Sequence, residues 1–200
     1  MLLFVGLGNP TPNSENNRHN IGFKIIDAIN NKFKLSKQKP KFKGLLTTGS
    51  INNKKVYAIK PLTFMNNSGI CIRELMEYFK IDAEDVIVFH DDLDIDFGKV
   101  KAKFGGSDAG HNGIASIDKF IGKEYSRVRI GIGKPKNNIA VNDHVLKDFD
   151  EDEKTELESI KENITDNLSI LIEKKLDLFS STINNKSVSY THLTLPTKVT

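Results

Sequence analysis

The sequence predicts an α/β fold, a single domain in which helices cover both faces of a twisted, mixed but mostly parallel sheet. Three observations lead there. Short apolar runs that read as strands alternate with longer amphipathic stretches that read as helices. Two of the runs are separated only by Asn52-Asn53, a hairpin signal that puts an antiparallel junction into the sheet. No repeat or linker divides the chain, whose 200 residues suit one domain with a sizeable core.

Residues 2–7 read as a buried strand that ends in a Gly-Asn-Pro turn. Residues 19–33 follow as a helix with Ile21, Ile25, Ala28, Ile29 and Phe33 on one apolar face. Residues 45–51 and 55–59 form the hairpin strands, and Pro61-Leu62-Thr63 makes a loop. A helix over 67–79 aligns Ile72, Leu75, Met76 and Phe79. Residues 86–89 form a buried strand whose C-terminal end delivers His90 and Asp91. Residues 99–104 alternate as a strand does, and Gly105-Gly106 opens a flexible loop. A short helix over 114–121 precedes a strand over 127–132, with Val128, Ile130 and Ile132 on one face. The last helix begins near Asp150 and turns Leu157, Ile160, Ile164, Leu168 and Leu171 inward, its acidic start suiting the helix dipole. The domain is thus assigned to residues 1–187. The Thr-, Leu- and Pro-rich stretch over 188–200 has neither period and is set apart as a candidate non-native tail.

Hydrophobic residues at 38% and charged residues at 28% are ordinary for a globular protein in water. The single cysteine, Cys71, excludes an intramolecular disulfide framework and a Cys-based zinc cluster. No apolar stretch is long enough to span a membrane, and the run after Met1 is too short, and lacks a basic lead, for a signal peptide. A cytoplasmic monomer is expected. The net charge of +3 is unevenly spread. Between Ala28 and Arg73 there is no Asp or Glu, yet Lys32, Lys34, Lys37, Lys39, Lys41, Lys43, Lys54, Lys55 and Lys60 all fall there. A solvated face is the simplest account of these lysines, and a phosphate-facing surface is the functional one.

The chemistry concentrates in five segments: Gly6-Leu7-Gly8-Asn9-Pro10, Arg18-His19-Asn20-Ile21-Gly22, Phe64-Met65-Asn66-Asn67-Ser68-Gly69, His90-Asp91-Asp92-Leu93-Asp94 and Gly110-His111-Asn112-Gly113. Four of them set Asn or His among small residues, where backbone and ligand can approach closely and an amide offers donor and acceptor at once. His19 stands at a helix start after a Gly-rich turn, in the position where open α/β sheets bind ligands. A neutral imidazole is a suitable base for water, and Asp91 can fix its tautomer. Taken singly, Asn9, Asn66 and Asn112 are turn formers or caps, and His111 is a loop residue that orders its glycines. The segment around His90, Asp91 and Asp94 could alternatively hold a metal. That reading ranks lower because no HExxH, second His pair or calcium loop accompanies it, and two of the segment's three carboxylates are expected to point into solvent. Gly6-Leu7-Gly8 only brushes against a dinucleotide fingerprint, with Thr11 where the third glycine belongs.

These ordered segments, together with Arg129-Ile130-Gly131-Ile132-Gly133, resemble the bacterial peptidyl-tRNA hydrolase family, over roughly the first three quarters of the chain and fading after Phe149. The resemblance implies hydrolysis of the ester between a peptide and the 3′ ribose of tRNA, with no cofactor and no metal. It makes His19 the catalytic base, Asp91 its orienting carboxylate and Asn9 the amide that holds the site together. Asn112 would place water or the oxyanion. Phe64, Met65, Asn66 and His111 join the substrate-binding set, with Ser14 where the family usually has Tyr beside the tRNA end. The Lys-rich segment is the first candidate for tRNA phosphates, and Lys101, Lys103 and Lys134 form the other candidate tRNA-binding group. The family's usual Gly after Asn-Pro is Thr11 here, Asn17 replaces a common Thr, and Asp96 a common Pro. Two rivals follow from the residues, a non-catalytic RNA-binding relative and a metal-dependent phosphoesterase.

Overall fold

Alternation in the first strand sets up two core layers. Strand β1 (Leu2–Gly6) puts Leu2 and Phe4 into one apolar cluster and Leu3 and Val5 into another, as a period of two requires. The computed structural model describes residues 1–185, so the tail assigned to 188–200 lies outside the described residues. The other strands are β2 (Lys39–Lys41), β3 (Gly44–Ile51), β4 (Lys54–Pro61), β5 (Val86–Asp92), β6 (Val100–Phe104) and β7 (Ser126–Gly131). They form one sheet in the order β2-β3-β4-β1-β5-β7-β6. The four strands β4, β1, β5 and β7 run parallel, while β3, β2 and β6 join antiparallel at the flanks. The expected mixed, mostly parallel sheet is therefore present.

Helices α1 (Ile21–Lys32), α5 (Glu151–Asp166) and α6 (Leu168–Ile172), with a further helix over 176–185, build one core layer through Ile25, Leu157, Leu168 and Phe179. Helices α2 (Ser68–Phe79) and α3 (Asn112–Ile121) build the other through Ile72, Leu75, Ile114 and Ile117. Every residue of β1 and β5 is buried, as expected for parallel strands covered on both sides. The hairpin turn forms as the Asn52-Asn53 pair predicts, with φ of +51° and +63° at its two central residues.

Several boundaries differ from the sequence expectation, each for a local reason. Helix α1 starts at Ile21 instead of residue 19 because Arg18–Asn20 close a 3₁₀ turn, with Asn20 N–H on Asn17 C=O at 3.0 Å. A Cβ at Gly22 would sit 2.4 Å from both Leu7 N and Phe89 O, and one at Gly6 would sit 2.2 Å from Gly22 O. The start of α1 therefore touches the backbones at the ends of β1 and β5, and this brings His19 over those ends. The unexpected β2 is three exposed residues with Pro40 in the middle and no apolar period, a form suited to a sheet edge. Helix α4 (Val141–Val145) was also unexpected, being too short to show a period. The expected long last helix breaks at Asn167, whose side chain donates to Asn163 C=O at 2.8 Å, so Leu168 and Leu171 belong to α6.

The lysine-rich stretch is less bare than the sequence implies. Lys32, Lys43 and Lys60 reach Asp166, Glu74 and Asp27, acids from outside the stretch. At the other edge of the sheet, β6 is covered by side chains of the 176–185 helix: Ser180 accepts from Ala102 N, and the Asn184 amide bonds Val100 N–H and C=O. No helix among the described residues is long and apolar enough to cross a membrane.

Candidate active site

Strand β5 runs on through Asp92, and its alternation sends His90 and Asp91 to opposite sides of the sheet end. Asp91 is buried, and each of its oxygens meets an imidazole. Oδ2 lies 2.8 Å from His19 Nδ1, and Oδ1 lies 2.8 Å from His111 Nε2. Burial alone would push the Asp91 carboxyl up, but His111 and His19 beside it outweigh this and hold it well below the usual carboxylate range. An ionised carboxylate only accepts, so both facing ring nitrogens carry protons. For His19 this leaves Nε2 with its lone pair free, the tautomer a general base needs. For His111 it agrees with the other ring nitrogen, since Nδ1 accepts from Gly113 N at 3.1 Å and Ile114 N at 3.2 Å. His111 is thus the N-cap of α3 as well as a donor to Asp91.

His90 is a different kind of residue. Its Nδ1 lies 2.8 Å from Asp91 C=O, and its ring stands edge-on to His111 at 5.0 Å. Burial first, and then His111, push its imidazole down to about 3. Nε2 is buried without a hydrogen-bond partner among the described residues. The grouping of His90, Asp91 and Asp94 weighed from sequence is replaced by another. Among the described residues, the side chains that converge on Asp91 with metal-ligand spacing are His19 and His111. Nor do two carboxylates of the segment face solvent. Asp92 is buried, accepting from Arg129 Nε and Asp94 N, each at 2.8 Å, and only Asp94 is exposed.

The amides are held in graded ways. Asn9 is pinned by Asn20 through reciprocal bonds of 2.9 Å, and its Oδ1 accepts from Met65 N at 2.8 Å. It therefore ties the β1 turn to the loop after β4. Met65 is buried in that loop, against the start of α3, where a Cβ on Gly113 would lie 2.5 Å from its Sδ. Phe64 is exposed with φ of +65° and ψ of 157°, a backbone region that is costly for an aromatic residue and is held here by the flanking turn. Asn66 is exposed in the 3₁₀ turn Met65–Asn67, and the N-cap position of α2 falls to Asn67. Asn112 is exposed at the first position of α3. Ser14 is buried with its hydroxyl 2.6 Å from that of Thr11. Lys101 and Lys103 stand exposed on β6, and Lys134 Nζ lies 3.9 Å from Asp94. Cys71 is buried and its thiol is pushed up to about 12, mainly by burial, so it is not a nucleophile at neutral pH.

A cavity of about 100 Å³ opens beside His19, His90, Asp91, His111 and Asn112, and its far wall is α4, through Val141, Asn142 and Val145. Sequence reasoning gave no signal for that wall. It placed Asn20 in a motif without assigning it the anchoring of Asn9, and it read His111 as a loop or substrate residue and not as the second partner of Asp91.

Comparison with known proteins points to one family. A family model described as peptidyl-tRNA hydrolase matches residues 3–191, well past Phe149, after which the motif resemblance fades. The peptidyl-tRNA hydrolase of Pelagibacter ubique is 82% identical over 186 residues, which is 93% of this chain and 100% of that protein. The Bacillus subtilis peptidyl-tRNA hydrolase is 47% identical over 159 residues, 79% of this chain and 85% of that one. The crystal structure of the Acinetobacter baumannii peptidyl-tRNA hydrolase superposes with a TM-score of 0.85 at 32% identity, covering 92% of this chain and 94% of the other. The motifs, the fold and the match across nearly the whole chain lead to one conclusion: this chain belongs to the peptidyl-tRNA hydrolase family.

Proposed function

We propose that this chain cleaves the ester between a peptide, or an N-blocked amino acid, and the 3′ ribose of tRNA, freeing the tRNA for translation. The observation that carries the reading is the His19–Asp91 bond of 2.8 Å, with Nε2 of His19 left as the free base. In the reaction His19 Nε2 takes a proton from water as the water attacks the ester carbonyl. Asp91 stabilises the imidazolium that forms, and the proton then passes to the leaving ribose oxygen. Asn112, at the rim of the same cavity, places the water or stabilises the oxyanion. Asn9 acts from behind, fixing the turn that carries Met65.

Phe64, Met65 and Asn66 receive the peptide, His111 holds the far side of Asp91, and Ser14 contributes next to the tRNA end. Lys101, Lys103 and Lys134 meet tRNA phosphates. The protein works as a monomer in the cytoplasm, and no step in this scheme needs a metal or cofactor. The test is single-turnover hydrolysis of an N-acetylated aminoacyl-tRNA, with and without a chelator. Cleavage that survives chelation is expected. Tight tRNA binding without cleavage would make the protein a non-catalytic RNA-binding relative, and loss with chelator would move the chemistry to a metal.

A further inference from the structure

His19 does not ride on a helix. It sits in a single 3₁₀ turn, and such a turn has little stiffness of its own. One side of the turn is anchored by Asn20 on Asn9. The other side is anchored by a denser set of contacts that the catalytic scheme leaves unused. Arg18 N–H donates to Lys147 C=O at 3.0 Å, and Phe149 N–H donates to Asn16 C=O at 3.3 Å. The Asn17 amide donates to Asp148 at 2.7 Å, within an isolated bridge between those two residues. The Arg18 guanidinium donates from one arm to His144 C=O at 3.3 Å and from the other to Glu153 at 2.8 Å, above the Phe149 ring. Both members of the Arg18–Glu153 pair are mostly buried, with side chains 11% and 19% exposed.

The segment so gripped is the connection from α4 to α5, and α4 is the wall of the cavity that faces His19. Glu153 is itself fixed, because the same oxygen that meets Arg18 accepts from Asp150 N at 3.0 Å in the capping box of α5. A rigid helix start therefore holds Arg18, and Arg18 holds both the base and the wall.

We infer that Arg18 is a positioning residue, with Glu153 as its counter-charge, that fixes His19 against Asp91 and sets the gap between His19 and the α4 wall. Arg18 is not among the residues that line the cavity and acts through the neighbouring base. A displacement of about 1 Å at a catalytic group can cost up to roughly 100-fold in rate, which gives the clamp its leverage. A planar fork suits the task, since one arm serves a carbonyl and the other a carboxylate in a fixed geometry, whereas an ammonium offers its donors from a single rotating centre. The inference rests on the proposed esterase reading for its rate assay but not for its spectroscopic one.

The experiment compares Arg18→Gln, Arg18→Lys and Glu153→Ala with the wild type. Two quantities are measured: kcat and KM on an N-acetylated aminoacyl-tRNA, per folded molecule, and the imidazole ¹⁵N–¹H spectrum of His19. Arg18→Gln is expected to lower kcat about tenfold or more with KM within about twofold, and to turn the single Nδ1–H form of His19 into a mixture of tautomers. Arg18→Lys should restore only part of the rate. Glu153→Ala leaves the 3₁₀ turn untouched and should move kcat and the spectrum in the same direction, so it carries the test if Arg18→Gln does not fold. An unchanged kcat per folded molecule with unchanged His19 resonances would overturn the inference and leave the clamp as scaffold. So would a loss confined to KM. If the wild type fails to cleave the substrate, the esterase reading fails alone, and the spectrum still decides the role of Arg18.

Discussion

His111 gives Asp91 its second hydrogen bond, from Nε2 to Oδ1 at 2.8 Å, while the opposite nitrogen of the same ring caps α3. One imidazole thus joins a helix terminus to the carboxylate that also pairs with His19. The two duties can be separated, because Asn is also a good N-cap but is too short to reach Asp91 in the same way. His111→Asn is expected to keep the α3 cap, so that its loss of stability comes from the Asp91 bond and stays within about 3 kcal/mol. The lost charge-assisted bond, worth roughly 1.5–3 kcal/mol, should lower kcat by about tenfold or more. Urea unfolding and steady-state kinetics check the two halves, and an unchanged kcat would reduce His111 to a cap.

His19→Ala should remove most of the rate while leaving tRNA affinity largely intact, since general-base catalysis is worth roughly 10²–10⁴-fold. Asp91→Asn should act through the same unit, so the double variant should be little slower than His19→Ala alone. Fully additive losses in single-turnover assays would show that the two do not cooperate.

The buried His90 makes a prediction about acid. Its folded value is lowered from 6.5 to about 3, so the folded state holds it neutral while the unfolded chain takes up a proton below 6.5. The stability it contributes is present above the unfolded value and is lost as pH falls from there toward the folded one, at up to about 1.4 kcal/mol per pH unit. Asp91, whose folded value is depressed, adds its own loss only below the ordinary carboxylate range, around pH 4. Between pH 6 and pH 4.5 the decline in unfolding free energy should therefore flatten in His90→Phe. Parallel curves for wild type and variant would mean that His90 is accessible to protons.

Binding of tRNA should weaken as salt rises, because each phosphate contact releases counterions. Replacing Lys101 and Lys103 on β6 together should reduce the slope of log affinity against log salt by about 2. Replacing Lys37, Lys39 and Lys41 tests the opposite edge of the sheet, where β2 lies. If only that second set changes the slope, the tRNA surface is on the β2 side and the assignment to Lys101 and Lys103 is wrong.

Selection for a blocked amino group follows if Asn66 and Asn112 pair with the peptide backbone. A free ammonium brought against those amides would leave polar groups unpaired, at about 1–3 kcal/mol for each neutral one. Rejection by an order of magnitude or more is expected, and Asn66→Ala should narrow it. The measurement is kcat/KM for acetylated and free forms of one aminoacyl-tRNA. Equal rates on both forms in the wild type would point to a general aminoacyl esterase.

The strand and helix pattern was legible because local burial writes a period into the chain. Leu2–Gly6 and Val86–Asp92 are continuous apolar or buried runs, the Asn52-Asn53 turn has the residue type its left-handed backbone needs, and the acidic residues from Asp150 mark the start of α5. The pairing of His19 with Asp91 was legible for a related reason, since chemistry restricts residue type and the motifs keep those types together. Of the elements that escaped, β2 and α4 are three and five residues long, too short for any period to appear, while the helix over 176–185 was hidden because the last helix was read as one piece through the break at Asn167.

What the tertiary structure alone decided is who faces whom. The sequence determined a sheet with a base and a carboxylate at strand ends, but it could not say that Asp91 would be shared by His19 and His111 in place of grouping with His90 and Asp94. Nor could it show that lysines in an acid-free stretch find Asp27, Glu74 and Asp166, or that Arg18 grips a segment 126 to 135 residues away. Periodicity reports only whether a side chain is turned inward. Its partner depends on which strand ends and helix starts the packed layers bring together, and that is fixed by the whole chain at once.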